Sequence, residues 1–296
     1  MKKRIFAGCL GVIFAFVIFT SCDIFDHGID KLVIVAGVAI DQGEDEKYRV
    51  TAELTRIEGG ALEGNVVPQA ITKEGATIPE ALAKIEWESG DKLHLGHCEL
   101  ILLSRDIARQ GIADIIDLWM GLPKYSPLAV VAVSTKDTAE ELLQSEEEEE
   151  DNQDVMSNLH VKRLLPQKRV YQVHRDLMGG EEVLLAALPK GVALIEDGRL
   201  TKTYGKDDAP YAQMAYGEFT HAALTFRNPD VTIDFYFATT RRKNGVLHIH
   251  LTGSSSEYQD SMEKQVKSQI IEKLGEVTND KVEVRLSVRR ESRGEA

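Results

Sequence analysis

Apolar positions after residue 31 fall into two kinds of run. Leu32 to Ile40 (LVIVAGVAI) is continuously apolar and of strand length, as expected for a strand buried on both faces. Asp41 to Lys47 is polar and turns the chain. Tyr48 to Leu54 then alternates, with Tyr48, Val50, Ala52 and Leu54 on one face, so the two segments read as a hairpin. Gly59 to Gly75 is Gly-rich loop or edge structure. Thr77 with Glu80 is a capping box before a helical stripe of Ile78, Leu82 and Ile85. His97 to Leu103 is a second buried strand. Ser104 caps a helix with Ile107 and Ala108, and Ile112 to Met120 is another helix after Gly111. Leu128 to Val133 is a third strand, and Asp137 to Leu143 is a short closing helix.

Glu146 to Asp151 breaks this pattern. Like charges repel, so the run is expected to be solvated loop and a domain boundary; calcium ligation would need spaced ligands and a turn glycine that are missing. Val155 to Leu165 and Val170 to Met178 read as helices, the second stopped by Gly179-Gly180. Strands follow at Leu184 to Ala187, Val192 to Ile195, Arg199 to Tyr204, Phe219 to Phe226, Val231 to Ala238 and Val246 to Leu251. Asp197-Gly198 and Asn244-Gly245 mark tight hairpins. Glu257 to Leu274 is a long amphipathic helix with Met262, Val266, Ile270 and Leu274 inward, and Val282 to Val288 is a closing strand. The expected fold is multi-domain mixed α+β: an N-terminal α/β domain (22–144), an acidic linker and helical segment (145–180), and a β-rich α+β domain with a long packing helix (181–296).

The first residues have a different periodicity, namely none. Lys2, Lys3 and Arg4 precede the uncharged run Ile5 to Phe19, too short to span a bilayer comfortably but suited to a signal-peptide core. Thr20 and Ser21 lead into Cys22, the acceptor pattern for bacterial lipoprotein processing, with Phe19 where such sites usually carry Leu. Residues 1–21 are therefore expected to be a signal peptide, and Cys22 to carry a diacylglyceryl group; two acyl chains suffice for stable anchoring. Ordinary secretion with cleavage near Ser21, or an uncleaved anchor, are the alternatives.

Composition adds constraints. With 43% hydrophobic and 28% charged residues the chain is an ordinary globular protein. Cleavage after residue 21 removes three basic residues and no acid, moving the formal charge from −13 to −16. So acidic a body has no electrostatic basis for holding nucleic acid, and is expected to be held off anionic headgroups, leaving the lipid as the attachment. Of three cysteines, Cys9 leaves with the signal peptide and Cys22 takes the lipid, so Cys98 has no disulfide partner. In the apolar segment CELILL it is expected to act as a small buried hydrophobe; a nucleophilic role would need a cationic neighbourhood that the sequence lacks.

Several segments in order resemble the Ger(x)C spore-germination lipoproteins, the C subunits of nutrient germinant receptors. These are KLVIVAGVAID (Lys31 to Asp41) with KYRVTAEL after it, ATIPEALAKI (Ala76 to Ile85), and LGHCELILLSRDIARQGIADIIDLW (Leu95 to Trp119). PLAVVAVS, GVALIEDGRLTKTYG, the Glu257 to Leu274 helix and KVEVRLSVRR complete the series. Family members usually carry a longer segment between the last helix and the closing strand; here only Gly275 to Asp280 intervene. The resemblance implies a non-catalytic, lipid-anchored receptor subunit on the outer face of the spore inner membrane. Its partners would be the integral A and B membrane subunits, and small nutrients would be met through the complex. A free-standing solute-binding or cell-envelope lipoprotein is the alternative.

Chemistry-bearing motifs are sparse beside this. His94, His97 and Glu99 cluster, and His248 and His250 share one strand face. A zinc site would have to bring both groups together, because it needs three or four converging ligands. The simpler expectation is a strand-end His97 and a solvated pair, with no catalytic residue, cofactor or metal. Gly-x-Ser-x-Gly, phosphate-loop and His-Glu-x-x-His patterns are absent from the sequence.

Overall fold

The computed structural model describes residues 32–58, 65–144 and 165–290. The expected signal peptide, Cys22, the acidic run Glu146 to Asp151 and most of the helix expected at Val155 to Leu165 lie outside them.

The first hairpin forms as expected from β1 (Leu32–Gln42) and β2 (Tyr48–Glu58), paired antiparallel. The segment expected as loop or edge contributes β3 (Asn65–Gly75), an antiparallel edge strand on β2. Helix α1 (Ile78–Ser89) begins where the capping box places it. Thr77 Oγ1 accepts the Glu80 N–H at 3.2 Å, and the Glu80 carboxylate accepts the Ala76 N–H. A short β4 (Lys92–His94) and a 3-10 turn (Leu95–His97) lead to β5 (Leu100–Leu103), and both strands run parallel to β1 along one edge. Helices α2 (Arg105–Gln110) and α3 (Ala113–Gly121) precede β6 (Val130–Ser134), and α4 (Ala139–Gln144) follows it.

After α5 (Val170–Met178) the chain returns to the same sheet. β7 (Val183–Leu188) pairs parallel with β6, and β8 (Gly191–Glu196) and β9 (Arg199–Gly205) extend it antiparallel. The nine-stranded sheet has the order β3-β2-β1-β5-β6-β7-β8-β9, with β4 beside β1. This corrects the boundary expected at 145–180: strands assigned to the second domain continue the sheet of the first. The acidic run changes composition, but it interrupts no sheet, because β6 and β7 pair by burying apolar residues from both sides of it.

A helix unread in the sequence, α6 (Ala209–Tyr216), then leads into the second sheet. That sheet consists of β10 (Ala222–Phe226), β11 (Val231–Lys243), β12 (Val246–Ser255) and β13 (Lys281–Arg290), in that order. Asn244 and Gly245 both take positive φ (52° and 72°) in the β11–β12 turn, as a tight hairpin requires. Helix α7 (Glu263–Val277) carries the chain from β12 to a parallel β13. Met262, expected on its buried face, stands just before its first turn.

One core packs α1, α2, α3 and α5 against one face of the large sheet, with Trp119 and Ile116 fully buried. On the opposite face α4 covers Leu100, Leu102 and Ala186. At the β7–β9 end that face belongs to a second core, in which Leu184, Val192, Leu194 and Tyr204 meet α6, α7 and the apolar side of the second sheet. The Tyr204 hydroxyl donates to the Val277 carbonyl at 3.0 Å, and the two sheets share that core.

Candidate interaction surface

The two ends of the parallel strands are built differently. At the carboxyl end, where open α/β sheets usually bind ligands, the last apolar strand position is followed by Asp41, only 3% exposed. Its two carboxylate oxygens accept the Ala139 and Glu140 N–H groups at 2.7 and 2.9 Å and so cap α4. Burial pushes the Asp41 carboxyl up from its ordinary value, against the pull of these two donors. Glu140 in turn accepts from Arg49 Nε at 2.8 Å and Thr72 Oγ1 at 2.7 Å. This end is closed by structural hydrogen bonds that tie β1, β2, β3 and α4 together. The sequence placed Asp41 in the polar turn; its position closing the run KLVIVAGVAID was the available signal.

The amino end is open and carries the Gly-His pair. Leu95 is buried, and its carbonyl accepts the Ser126 and Cys98 N–H groups, each at 3.1 Å. Gly96 and His97 are exposed on this turn. An added Cβ at Gly96 would stand 3.3 Å from His94 Nε2, so the glycine lets the His94 ring lie over the turn. His94 and His97 are 5.1 Å apart between ring centroids, tilted by 53°. Beside them the 126–128 segment enters β6, and the Tyr171 N–H donates to Pro127 O at 3.2 Å. Leu128 (57% exposed) and Tyr171 (41%) add apolar surface. β1 starts at this same end: Leu32, Val33 and Ile34 pair with Lys92, Leu93 and His94. β1 therefore starts at the end of the sheet that carries the Gly96–His97 turn.

The two histidine groups read from sequence are not brought together. His248 and His250 lie on the second sheet, where His248 Nδ1 is 3.2 Å from Glu283 and His250 Nε2 is 2.8 Å from Ser287 Oγ. Among the described residues no group of three or more His, Cys, Asp and Glu side chains could hold a metal ion. Cys98 is 1% exposed, its thiol donates to Leu100 O at 3.3 Å, and burial pushes it up to about 12. Its thiolate is thus suppressed in the folded chain. Native protein should leave Cys98 unmodified by a maleimide at pH 8 and label it only on unfolding. Cys98→Ser should lower stability by about 1–3 kcal/mol and Cys98→Ala by less; loss of function in Cys98→Ala at unchanged Tm would instead reveal thiol chemistry.

Residues 26–189, over half of the chain and all of the large sheet up to β7, match the family model described as the spore germination protein N-terminal domain. The chain belongs to the spore germination protein family. A Bacillus subtilis (strain 168) protein, YfkR, whose name ascribes it to spore germination, is 26% identical over 143 residues. That alignment covers 45% of this chain and 36% of the relative, so the chain matches about a third of that relative's length. The crystal structure of the GerBC protein superposes with a TM-score of 0.50 at 12% identity, over 90% of this chain and 100% of that one. The mixed α/β fold of this germination protein is thus shared with GerBC across both sheets. Among the described residues no helix is long and apolar enough to cross a membrane.

Proposed function

We propose that this germination protein is a non-catalytic, lipid-anchored subunit of a spore nutrient germinant receptor. It is tethered at Cys22 to the outer face of the spore inner membrane and assembled with the integral A and B subunits. The observation that carries the reading is the arrangement at the amino end of the parallel strands. β1 begins at the same end of the sheet as the exposed Gly96–His97 turn, inside the region that matches the germination family. At about 3.3–3.6 Å per extended residue, Asp23 to Asp30 holds that end within about 30 Å of the bilayer. The turn, Leu128 and Tyr171 therefore face the part of space that the integral subunits occupy. The carboxyl end, closed by Asp41, points away. The chain supplies surfaces whose fit differs between receptor states, which is how a subunit without chemistry biases a response.

Co-purification from spore membranes tests the reading. Wild-type protein should bring down both membrane subunits. His97→Glu with Leu128→Arg, at unchanged Tm, should abolish this. Neutralising Glu146 to Asp151 to Gln and Asn should leave it largely intact, because exposed charges are individually weak and screened. Assembly lost on neutralising the acidic run, but indifferent to His97 and Leu128, would place the interface elsewhere. Wild-type protein that brings down neither subunit would favour a free-standing envelope lipoprotein. Cys22→Ala should leave unprocessed precursor or released protein, read by fractionation; a variant processed and anchored like wild type would overturn the tether.

A further inference from the structure

The outer face of the second sheet carries the opposite charge from the chain as a whole. The face is defined by register. Leu247, Ile249 and Leu251 of β12 point into the core, and His248, His250, Thr252 and Ser254 point out. On β13 the alternate positions Glu283, Arg285, Ser287 and Arg289 share the outer face, and on β11 so do Thr239, Arg241 and Lys243. Its two acids are both beside histidines: Glu283 near His248, and Asp234 2.6 Å from His221. Arg241, Lys243, Arg285 and Arg289 make no ion pair among the described residues. In a chain of net charge −13 this is a local cationic field.

An irregularity in β11 adds a second feature. The register slips between Phe235 and Phe237, so Tyr236 is an extra residue and both aromatics project outward, 48% and 53% exposed. Gly253 opposite makes room: a Cβ there would stand 2.7 Å from Asp234 O and 2.9 Å from the Phe235 ring. A bulge that turns two aromatic rings out of a hydroxyl- and arginine-bearing sheet does not improve the core.

We infer that this face docks on an anionic phospholipid surface, with Arg241, Lys243, Arg285 and Arg289 against headgroup phosphates and Tyr236 and Phe237 at the interfacial layer. Charge complementarity selects the occupant. The cations are spread over β11 and β13 rather than gathered around a pocket, and the apolar content is a tyrosine of the kind that sits at headgroup level and a phenylalanine suited to the apolar side of the interface. A protein interface would centre on a larger apolar patch. The negative net charge does not oppose this, because charges beyond about 8 Å from the lipid are largely screened at physiological salt. The inference stands apart from the receptor reading, since lipid binding by this face needs no other subunit.

The test uses residues 23–296, which contain every described element and both sheets, without the lipid. Co-sedimentation should be strong with vesicles of phosphatidylglycerol and phosphatidylcholine, weak with phosphatidylcholine alone, and lost at high salt. R285E/R289E should weaken binding to the anionic vesicles at least about tenfold, since each cation near the surface contributes about fivefold. The charge-neutralising R285Q/R289Q should give an intermediate loss, and Y236S/F237S a smaller one. R105E/R109E, an equal charge change on α2 of the other sheet, should bind like wild type; a matching loss there would mean that net charge alone governs. No difference between the two vesicle types would overturn the inference. So would R285E/R289E that binds vesicles normally but fails to co-purify with the membrane subunits, which would make the face a protein contact.

Discussion

Lys168→Ala should lower stability at pH 7 by ~3 kcal/mol, the low end of what removing one partner of a buried ion pair costs. Lys168 is 12% exposed at its side chain; its Nζ lies 2.8 Å from Asp176 Oδ2 and 2.6 Å from Glu218 Oε1. Asp176, on α5, is 3% exposed and also accepts from Arg175 at 2.6 Å, so it would not be left wholly alone. The cluster joins α5 of the large sheet's helical layer to the segment after α6, and Lys168 O accepts the Val131 N–H at 2.9 Å from β6. Loosening it therefore acts on both lobes. Burial alone would raise the Asp176 carboxyl, but hydrogen bonds from Lys168 and Arg175 outweigh it and hold it below the ordinary carboxylate value. A depressed folded value means stabilisation present above the unfolded value, about 3.9, and lost as pH falls through the folded one. Wild-type protein should thus lose stability below about pH 4, and Lys168→Ala should lose less on the same acidification. Urea melts at pH 7 and pH 3 measure both. Adding Asp176→Asn to Lys168→Met should recover part of the loss, since no buried charge is then left facing an apolar chain. Equal melts at pH 7 would show the cluster to be ornamental.

Much of this fold is legible in the sequence because its parallel strands are buried on both faces. LVIVAGVAI, LILL and VVAV are apolar without interruption, and such runs admit few readings. Ser104, Thr77 and Asn244-Gly245 mark ends with side chains whose job is local, so they can be recognised locally. Three things were hidden, each for a physical reason. β3 sits at a sheet edge, where one neighbour and a half-solvated face impose little pattern on QAITKEG. Helix α6 is short and alanine-rich, though Pro210 in its first turn and Gly217 (φ +74°) after its end were readable start and stop signals. The pairing of β6 with β7 links Ala132 to Ala186 across the acidic run, and no local pattern encodes a partner so distant in sequence. The interaction surface was half legible. The Gly96–His97 block stood out as a motif, but only the β1–β4 register shows that β1 begins at the same end of the sheet.

Asp41→Ala should cost ~3 kcal/mol: about 1 for the lost helix cap and the rest for the buried Ala139 and half-buried Glu140 N–H groups left without an acceptor. Asp41→Asn should cost roughly half as much. One oxygen still accepts from Ala139 or Glu140, while the amide presents N–H to the other donor. The change also relieves an opposing effect. Burial raises the folded value of Asp41, so its contribution is fully present below the unfolded value and declines as pH rises through the folded one. Asn carries no charge to desolvate, so the gap between wild type and Asp41→Asn should narrow as pH rises from about 4, the unfolded value, through the raised folded one. Hydrogen exchange locates the damage. In Asp41→Ala the Ala139 and Glu140 amides should lose protection, and the Arg49 and Thr72 contacts to Glu140 should loosen with them, because both meet the Glu140 carboxylate that α4 holds in place. Protection that persists at Ala139 and Glu140, with stability unchanged, would mean that α4 needs no cap and that this end of the sheet is free for another role. Co-purification with the membrane subunits should survive Asp41→Asn at a temperature where the variant is folded, because this carboxylate lies at the end of the strands opposite the Gly96–His97 turn.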